Sequence, residues 1–176
     1  GFDRVFEIGP SFRAEKSHTM RHLTEFTHFD FEMAFIKSEE DVLEVLETWF
    51  VQLLNDIKEK CKIELEILGK EIQIPKLPFP RVTYKECLQL LATVGVKLKF
   101  GDDIGTDDEK KVGELVKKKY KTNAYFITKY PFELKPFYIK TDGEVSRGFD
   151  FEYEGEELAS GGQREHHVDT LTKQIK

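Results

Sequence analysis

The chain has 176 residues, of which 39% are apolar and 34% charged, with a formal net charge of -6. That length and apolar content suit one domain, or part of a larger one, with a real core, and they exclude a disordered chain. The acidic balance excludes a chain that binds nucleic acid by its overall charge, so any RNA contact would need a local basic patch or another domain.

The two cysteines, Cys61 and Cys87, fall on expected helices and show neither metal spacing nor a disulfide framework, which fits a reducing cytosol. No signal peptide and no run of about 18 apolar residues is present, so no membrane span or membrane partner is expected. There is no internal repeat and no low-complexity segment.

Residues 4–8 alternate apolar and polar and predict a short strand, which Gly9-Pro10 bends. A charged bend follows: FRAEKSHTMRHLTEF carries three Arg or Lys, two His and two Glu between apolar segments. Next comes THFDFEMAFI, with Phe29, Phe31, Met33 and Phe35 on one face and His28, Asp30, Glu32 and Ala34 on the other, the pattern of a half-buried antiparallel strand. Ser38-x-x-Asp41 resembles a capping box opening a long helix to Lys60, with Val42, Val45, Leu46, Trp49, Leu53 and Ile57 as the expected core stripe. IPKLPFP is an extended connector. Thr83-x-x-Glu86 and Thr106-x-x-Glu109 predict two further capped helices, the second rich in lysine and most simply a solvated face. AYFITKY and PFYI read as strands. GFDFEYE reads as a strand with an acidic face, and the chain turns helical from about Arg164, with Val168, Leu171 and Ile175 in phase. The order predicts an α+β fold, an antiparallel β-sheet flanked by helices. A Rossmann arrangement lacks both its repeating units and its Gly-rich turn.

Two stretches carry candidate chemistry. In the bend, Arg13 offers a forked donor for phosphate, Glu15 an acceptor for an amino group, Arg21 and His22 mobile positive charge, and Phe26 a ring to stack on a base. A polar hairpin tip with weak ion pairs is an equal reading of these residues alone. In FDFEYEGEELASGGQREHHVD, Asp150 and Glu157 are paired carboxylates able to hold Mg²⁺. Gly161-Gly162 allow close backbone approach, and Arg164 offers a grip for a carboxylate. Alone, an acidic run of this kind reads better as an exposed acidic turn followed by a helix cap.

Together the two stretches point further. FRAEKSHTMRHLTEFTHFDFEMAF closely resembles the second signature motif of the class II aminoacyl-tRNA synthetases, in the aspartyl, asparaginyl and lysyl subgroup. KPFYI and FDFEYEGEELASGGQREH are similar to the later part of the catalytic domain of the archaeal or eukaryotic aspartyl type. The resemblance covers essentially the whole chain. It implies a partial class II catalytic domain with motif 2 at about 2–36, a helical insertion at about 38–122 and amino-acid- and metal-binding strands at about 123–176. The first motif, the third motif and the anticodon-binding barrel are expected to be absent. Carried over residue by residue, the resemblance implies that Arg13 binds the α-phosphate of ATP and is the catalytic arginine. Glu15 then recognises adenine, Arg21 and His22 reach the phosphates, and Phe26 stacks on the base. Asp30 holds the substrate amino group, Lys135 and Ser160 line the amino-acid pocket, Arg164 grips the side-chain carboxylate, and Asp150 and Glu157 hold Mg²⁺. The implied activity is ATP-dependent activation of aspartate and its transfer to tRNA, in a cytoplasmic homodimer. An asparaginyl enzyme and a non-catalytic binding paralogue are the alternatives. GGQREH, with His166, is closer to the aspartate type.

Overall fold

The computed structural model describes residues 1–15 and 23–175. It contains two compact units, residues 1–37 and 38–176.

The first unit is a hairpin of β1 (Arg4–Phe12) and β2 (Glu25–Met33), paired antiparallel from Arg4↔Met33 to Phe12↔Glu25. The register sorts the side chains by type, because directly paired residues share a face. Phe6, Ile8, Phe29, Phe31 and Met33 lie on one face, with the Phe6 and Phe29 rings 6.2 Å apart. Glu7, Ser11, Phe26, His28 and Asp30 lie on the other. Phe35 falls beyond the strand, at a positive φ of 59° and fully exposed, so it does not continue the apolar row.

The second unit is built on a four-stranded sheet of order β3-β4-β7-β8, comprising β3 (Arg81–Thr83), β4 (Ala124–Thr128), β7 (Gly148–Tyr153) and β8 (Glu156–Gly162). The sheet is mixed: β3 runs parallel to β4, and the other pairs are antiparallel. β3 and β4 are joined through α3 (Tyr84–Ala92) and α4 (Thr106–Tyr120), the crossover that a parallel pair requires. Those helices cover one sheet face, where Val82, Cys87, Leu91, Val112, Val116, Tyr125 and Ile127 form a buried cluster. The opposite face carries Phe126, Phe149 and Phe151. There Phe50 of α1 (Glu40–Lys60) sits 4.8 Å from Phe151, and Phe79 of the connector stacks on Phe151 at 5.8 Å. Smaller elements complete the chain: α2 (Lys62–Leu68), the β5 (Thr141–Asp142) and β6 (Val145–Ser146) hairpin, and α5 (Val168–Gln174).

Several local expectations change. The stripe that α1 buries is Leu43, Leu46, Glu47, Phe50 and Leu54, displaced by one residue from the expected one, and Trp49 is 40% exposed. The displacement follows from Phe50, which the sheet's phenylalanines select as the anchor. Glu47 fits the buried stripe because its carboxylate accepts the Phe79 N–H at 2.8 Å and pairs with Arg81. Only half of the first capping box forms, Asp41 accepting from the Ser38 N–H. The Thr83–Glu86 box is complete, whereas α4 is capped at Gly105 with no side-chain bond. Phe137 lies in a turn and not in a strand. The segment after Gly155 is the strand β8, and helix begins only at Val168, with Val168 and Ile175 exposed.

Candidate active site

The polar face of the hairpin gathers part of the predicted set. The Arg13 N–H bonds the Thr24 carbonyl at 2.9 Å, which extends the β1–β2 pairing by one step and keeps Arg13 on the Phe26 face. Its guanidinium carbon lies 4.8 Å from the centroid of the Phe26 ring. A cation held over an aromatic face leaves the guanidinium edge free to donate. Asp30 lies two pairs further along the same face, opposite Glu7, and is exposed. Glu15 follows beyond the ladder and is half-buried. Arg21 and His22 lie outside the described residues.

The second unit assembles the other part. On β7 the alternation puts Asp150 and Glu152 on the face opposite Phe149 and Phe151. Asp150 pairs with Ser160 of β8, and Glu152 with Glu157. Glu157 and Ser160 are three positions apart, so a regular strand would point them to opposite faces. The ladder is irregular between Phe151 and Glu152, and Leu158 is the extra residue. That bulge brings Glu157 onto the face of Asp150 and Ser160.

Asp150 is buried, and both its oxygens meet the Lys135 ammonium, at 2.6 and 2.7 Å. The side chains of this pair are 10% and 9% exposed. Tyr130 completes the cluster: its hydroxyl bonds Asp150, and its ring centroid lies 4.0 Å from the Lys135 nitrogen. Burial, reinforced by the Asp150 charge, pushes the Tyr130 phenol far above its ordinary range. Sequence reading passed over Tyr130; its position before Pro131, in the approach to KPF, is the one signal it offers. Glu152 was read only as part of an acidic face. It is 2% exposed and lies near Tyr125 and Cys87, whose thiol is pushed up to about 12 by burial and then by the Glu152 charge.

Gly161 and Gly162 have a structural reason to be glycine. A Cβ at 161 would come within 2.7 Å of the Phe149 ring, and one at 162 within 2.9 Å of the Arg147 carbonyl and Ile139. Their close approach is to the protein's own sheet.

Arg164 is exposed, bridges to Ile139 and lies 5.7 Å from the Tyr138 ring centroid. Beyond it, Glu165, His166 and His167 bring potential metal ligands within 4.8 Å of one another. Their hydrogen bonds give this cluster a structural role. One Glu165 oxygen accepts from the His166 and His167 N–H groups and from the His167 ring, each at 2.9 Å. Those donors hold the Glu165 carboxyl at about 2, and the carboxylate fixes the turn into α5.

Comparison with known proteins places these features in context. The family model described as tRNA synthetases class II (D, K and N) matches residues 1–176. The chain belongs to this family. A synthetase relative from Pyrococcus abyssi, named aspartate–tRNA(Asp) ligase, is 48% identical over all of this chain and 41% of its own length. One from Methanopyrus kandleri, named aspartate–tRNA(Asp/Asn) ligase, is 46% identical over all of the chain and 40% of its own length. Among solved synthetases, the aspartyl enzyme of Entamoeba histolytica superposes with a TM-score of 0.90 at 37% identity, covering 98% of this chain and 37% of that one. The asparaginyl enzyme of Pyrococcus horikoshii, complexed with asparaginyl-adenylate, gives 0.88 at 33% identity, covering 99% and 41%. The chain thus spans about two fifths of the length of its curated relatives.

The donor set on the β7–β8 face fits a hard divalent cation: two carboxylates and the Ser160 hydroxyl on one side of the sheet, with Glu157 open to solvent. Among the described residues, no helix is long and apolar enough to cross a membrane.

Proposed function

We propose that the chain is the adenylate-forming part of an aspartate–tRNA ligase. In the complete enzyme, a carboxylate oxygen of L-aspartate attacks the α-phosphorus of ATP. Pyrophosphate leaves, and the aspartyl group is then transferred to tRNA(Asp). The observation that carries this reading is the 48% identity over the whole chain to a relative named for that activity, against 33% for the asparaginyl structure.

The residues support a division of labour. Arg13, steadied on Phe26, would offer its donors to the α-phosphate and to the charge that builds there during attack. Phe26 would then share its ring between the guanidinium and adenine. Glu15 would accept from the adenine amino group, Arg21 and His22 would meet the outer phosphates, and Asp30 would hold the substrate ammonium. Lys135, Ser160 and Arg164 would line the aspartate pocket, Arg164 facing the side-chain carboxylate. Asp150 and Glu157 would hold Mg²⁺, which when bound draws charge from the phosphate oxygens. No protein nucleophile is needed, so positioning and charge carry the rate. Cytoplasmic location and a homodimer accompany this reading.

The test is ATP–pyrophosphate exchange by the complete enzyme with L-aspartate or L-asparagine as co-substrate. Exchange with aspartate, and far less with asparagine, is expected. Exchange with asparagine alone would replace this reading by the asparaginyl one, which the structural likeness to an asparaginyl enzyme favours. A relative named for both tRNA(Asp) and tRNA(Asn) makes charging of both tRNAs the second assay.

A further inference from the structure

The Lys135–Asp150 pair conflicts with the roles just proposed. Asp150 is to hold a cation and Lys135 is to face a substrate carboxylate, yet here they are paired with each other. The ammonium takes both carboxylate oxygens, at 2.6 and 2.7 Å, with both side chains almost buried. A divalent ion approaching those oxygens meets a positive charge already in place. A substrate carboxylate approaching Lys135 meets an ammonium already neutralised. Neither ligand binds well unless the pair opens, and once it opens both partners are released together.

The surroundings suit such an opening. The Lys135 stem crosses Gly148, where a Cβ would come within 3.0 Å of its Cγ, so the stem runs over bare backbone at that position. The Tyr130 ring sits 4.0 Å from the ammonium and gives it a favourable surface that is not a carboxylate. The ammonium can therefore leave Asp150 without being stranded unpaired in a buried place, the costly outcome for a broken pair. Opposite Asp150 stands the exposed Ser160, which marks the solvent side of the cluster.

We propose that Lys135 exchanges between Asp150 and the substrate's carboxylate, with Tyr130 as the positioning residue, so that cation binding at Asp150 and amino-acid binding strengthen each other. The cation displaces the ammonium, and the freed ammonium recruits the amino acid. The reverse order gives the same coupling, because linkage is reciprocal. The inference rests on the proposed assignment of this face to metal and aspartate.

The experiment is calorimetry on the complete enzyme with a non-hydrolysable ATP analogue held constant. L-Aspartate is titrated with EDTA and again with saturating Mn²⁺, and bound Mn²⁺ is read independently by electron paramagnetic resonance. Wild-type enzyme is expected to bind aspartate about tenfold more tightly with Mn²⁺, within the usual range of such couplings. Lys135→Met should bind Mn²⁺ more tightly than wild type, bind aspartate more weakly, and lose the dependence of one on the other. Tyr130→Phe, which keeps the ring, should retain the coupling, and Tyr130→Leu should reduce it. Aspartate affinity that is indifferent to Mn²⁺, or weakened by it, would overturn the exchange in wild type alone, whatever the variants do. Full coupling in Lys135→Met would overturn it too. Failure to bind aspartate under any condition would overturn the functional assignment together with the exchange, so the two failures are distinguishable.

Discussion

Arg164 and Glu157 make the sharpest single-residue tests, because both are exposed and neither supports the core. If Arg164 grips the β-carboxylate, Arg164→Leu removes a bidentate charged contact worth about 2–5 kcal/mol in a desolvated setting. Aspartate kcat/KM should fall accordingly, with the melting temperature unchanged; unaltered aspartate kinetics would remove the role. Glu157→Ala should slow ATP–pyrophosphate exchange by at least about a hundredfold, the scale of losing a group that stabilises transition-state charge. Near-normal exchange would sink the metal role. Glu165 makes a prediction about pH. Its carboxyl is depressed from an ordinary 4.5 to about 2, first by the His167 N–H and then by the His167 ring. A depressed folded value stabilises above the unfolded one, so this contribution is complete above about pH 4.5 and is lost as the pH falls towards 2. Glu165→Gln should lower the melting temperature at neutral pH and flatten its dependence across that window. In the hairpin, strand alternation alone puts Phe26 and Asp30 on one face, whereas placing Arg13 there needs the register between the two strands. Glu165 was not legible in the sequence, because its partners are backbone groups that only the turn brings round.

At the scale of elements, capping separates a signature that formed from one that did not. Thr83 and Glu86 exchange hydrogen bonds with each other's backbone N–H, whereas Thr106 lies inside α4 and caps nothing. Thr83→Ala should cost about 1 kcal/mol in urea unfolding. Thr106→Ala should change stability by less than about 0.5 kcal/mol. Equal effects would mean that α4 is capped at Thr106 in solution. Glu47 is the larger test: Glu47→Ala leaves the buried Phe79 N–H without its acceptor and Arg81 with Glu40 as its remaining carboxylate, and should cost about 2 kcal/mol. Helix existence was readable from apolar spacing, but the face that α1 buries was not. A one-residue rotation separates the Trp49 stripe from the Phe50 stripe, and only the aromatic cluster on the sheet selects between them. β8 was missed for a related reason: its glycines and acids read as a turn until Phe149 is seen packed over Gly161.

Over the whole molecule, the coarse order of a hairpin, then helices, then strands and a last helix was readable, and with it the α+β class, but β3 and β8 were not. What the sequence did not reveal is how unevenly burial is shared. β4 is buried along its whole length, and β7 everywhere but its last residue, whereas Phe6, Ile8 and Phe12 of the hairpin are exposed. A two-stranded ribbon with an open apolar face is marginal in water. In this chain, amide exchange should be slowest in β4 and β7 and faster by orders of magnitude in β1 and β2. Equal protection would mean that the hairpin's apolar face is covered in solution. The same division has a consequence for limited proteolysis. A protease should degrade the hairpin first and leave a resistant product that begins near Ser38. That product would retain Asp150, Glu157 and Lys135 while losing Arg13, Phe26 and Asp30. One cut would thus separate the carboxylates proposed to hold the cation from the ring proposed to stack on adenine, and each half of the proposed chemistry could be titrated without the other.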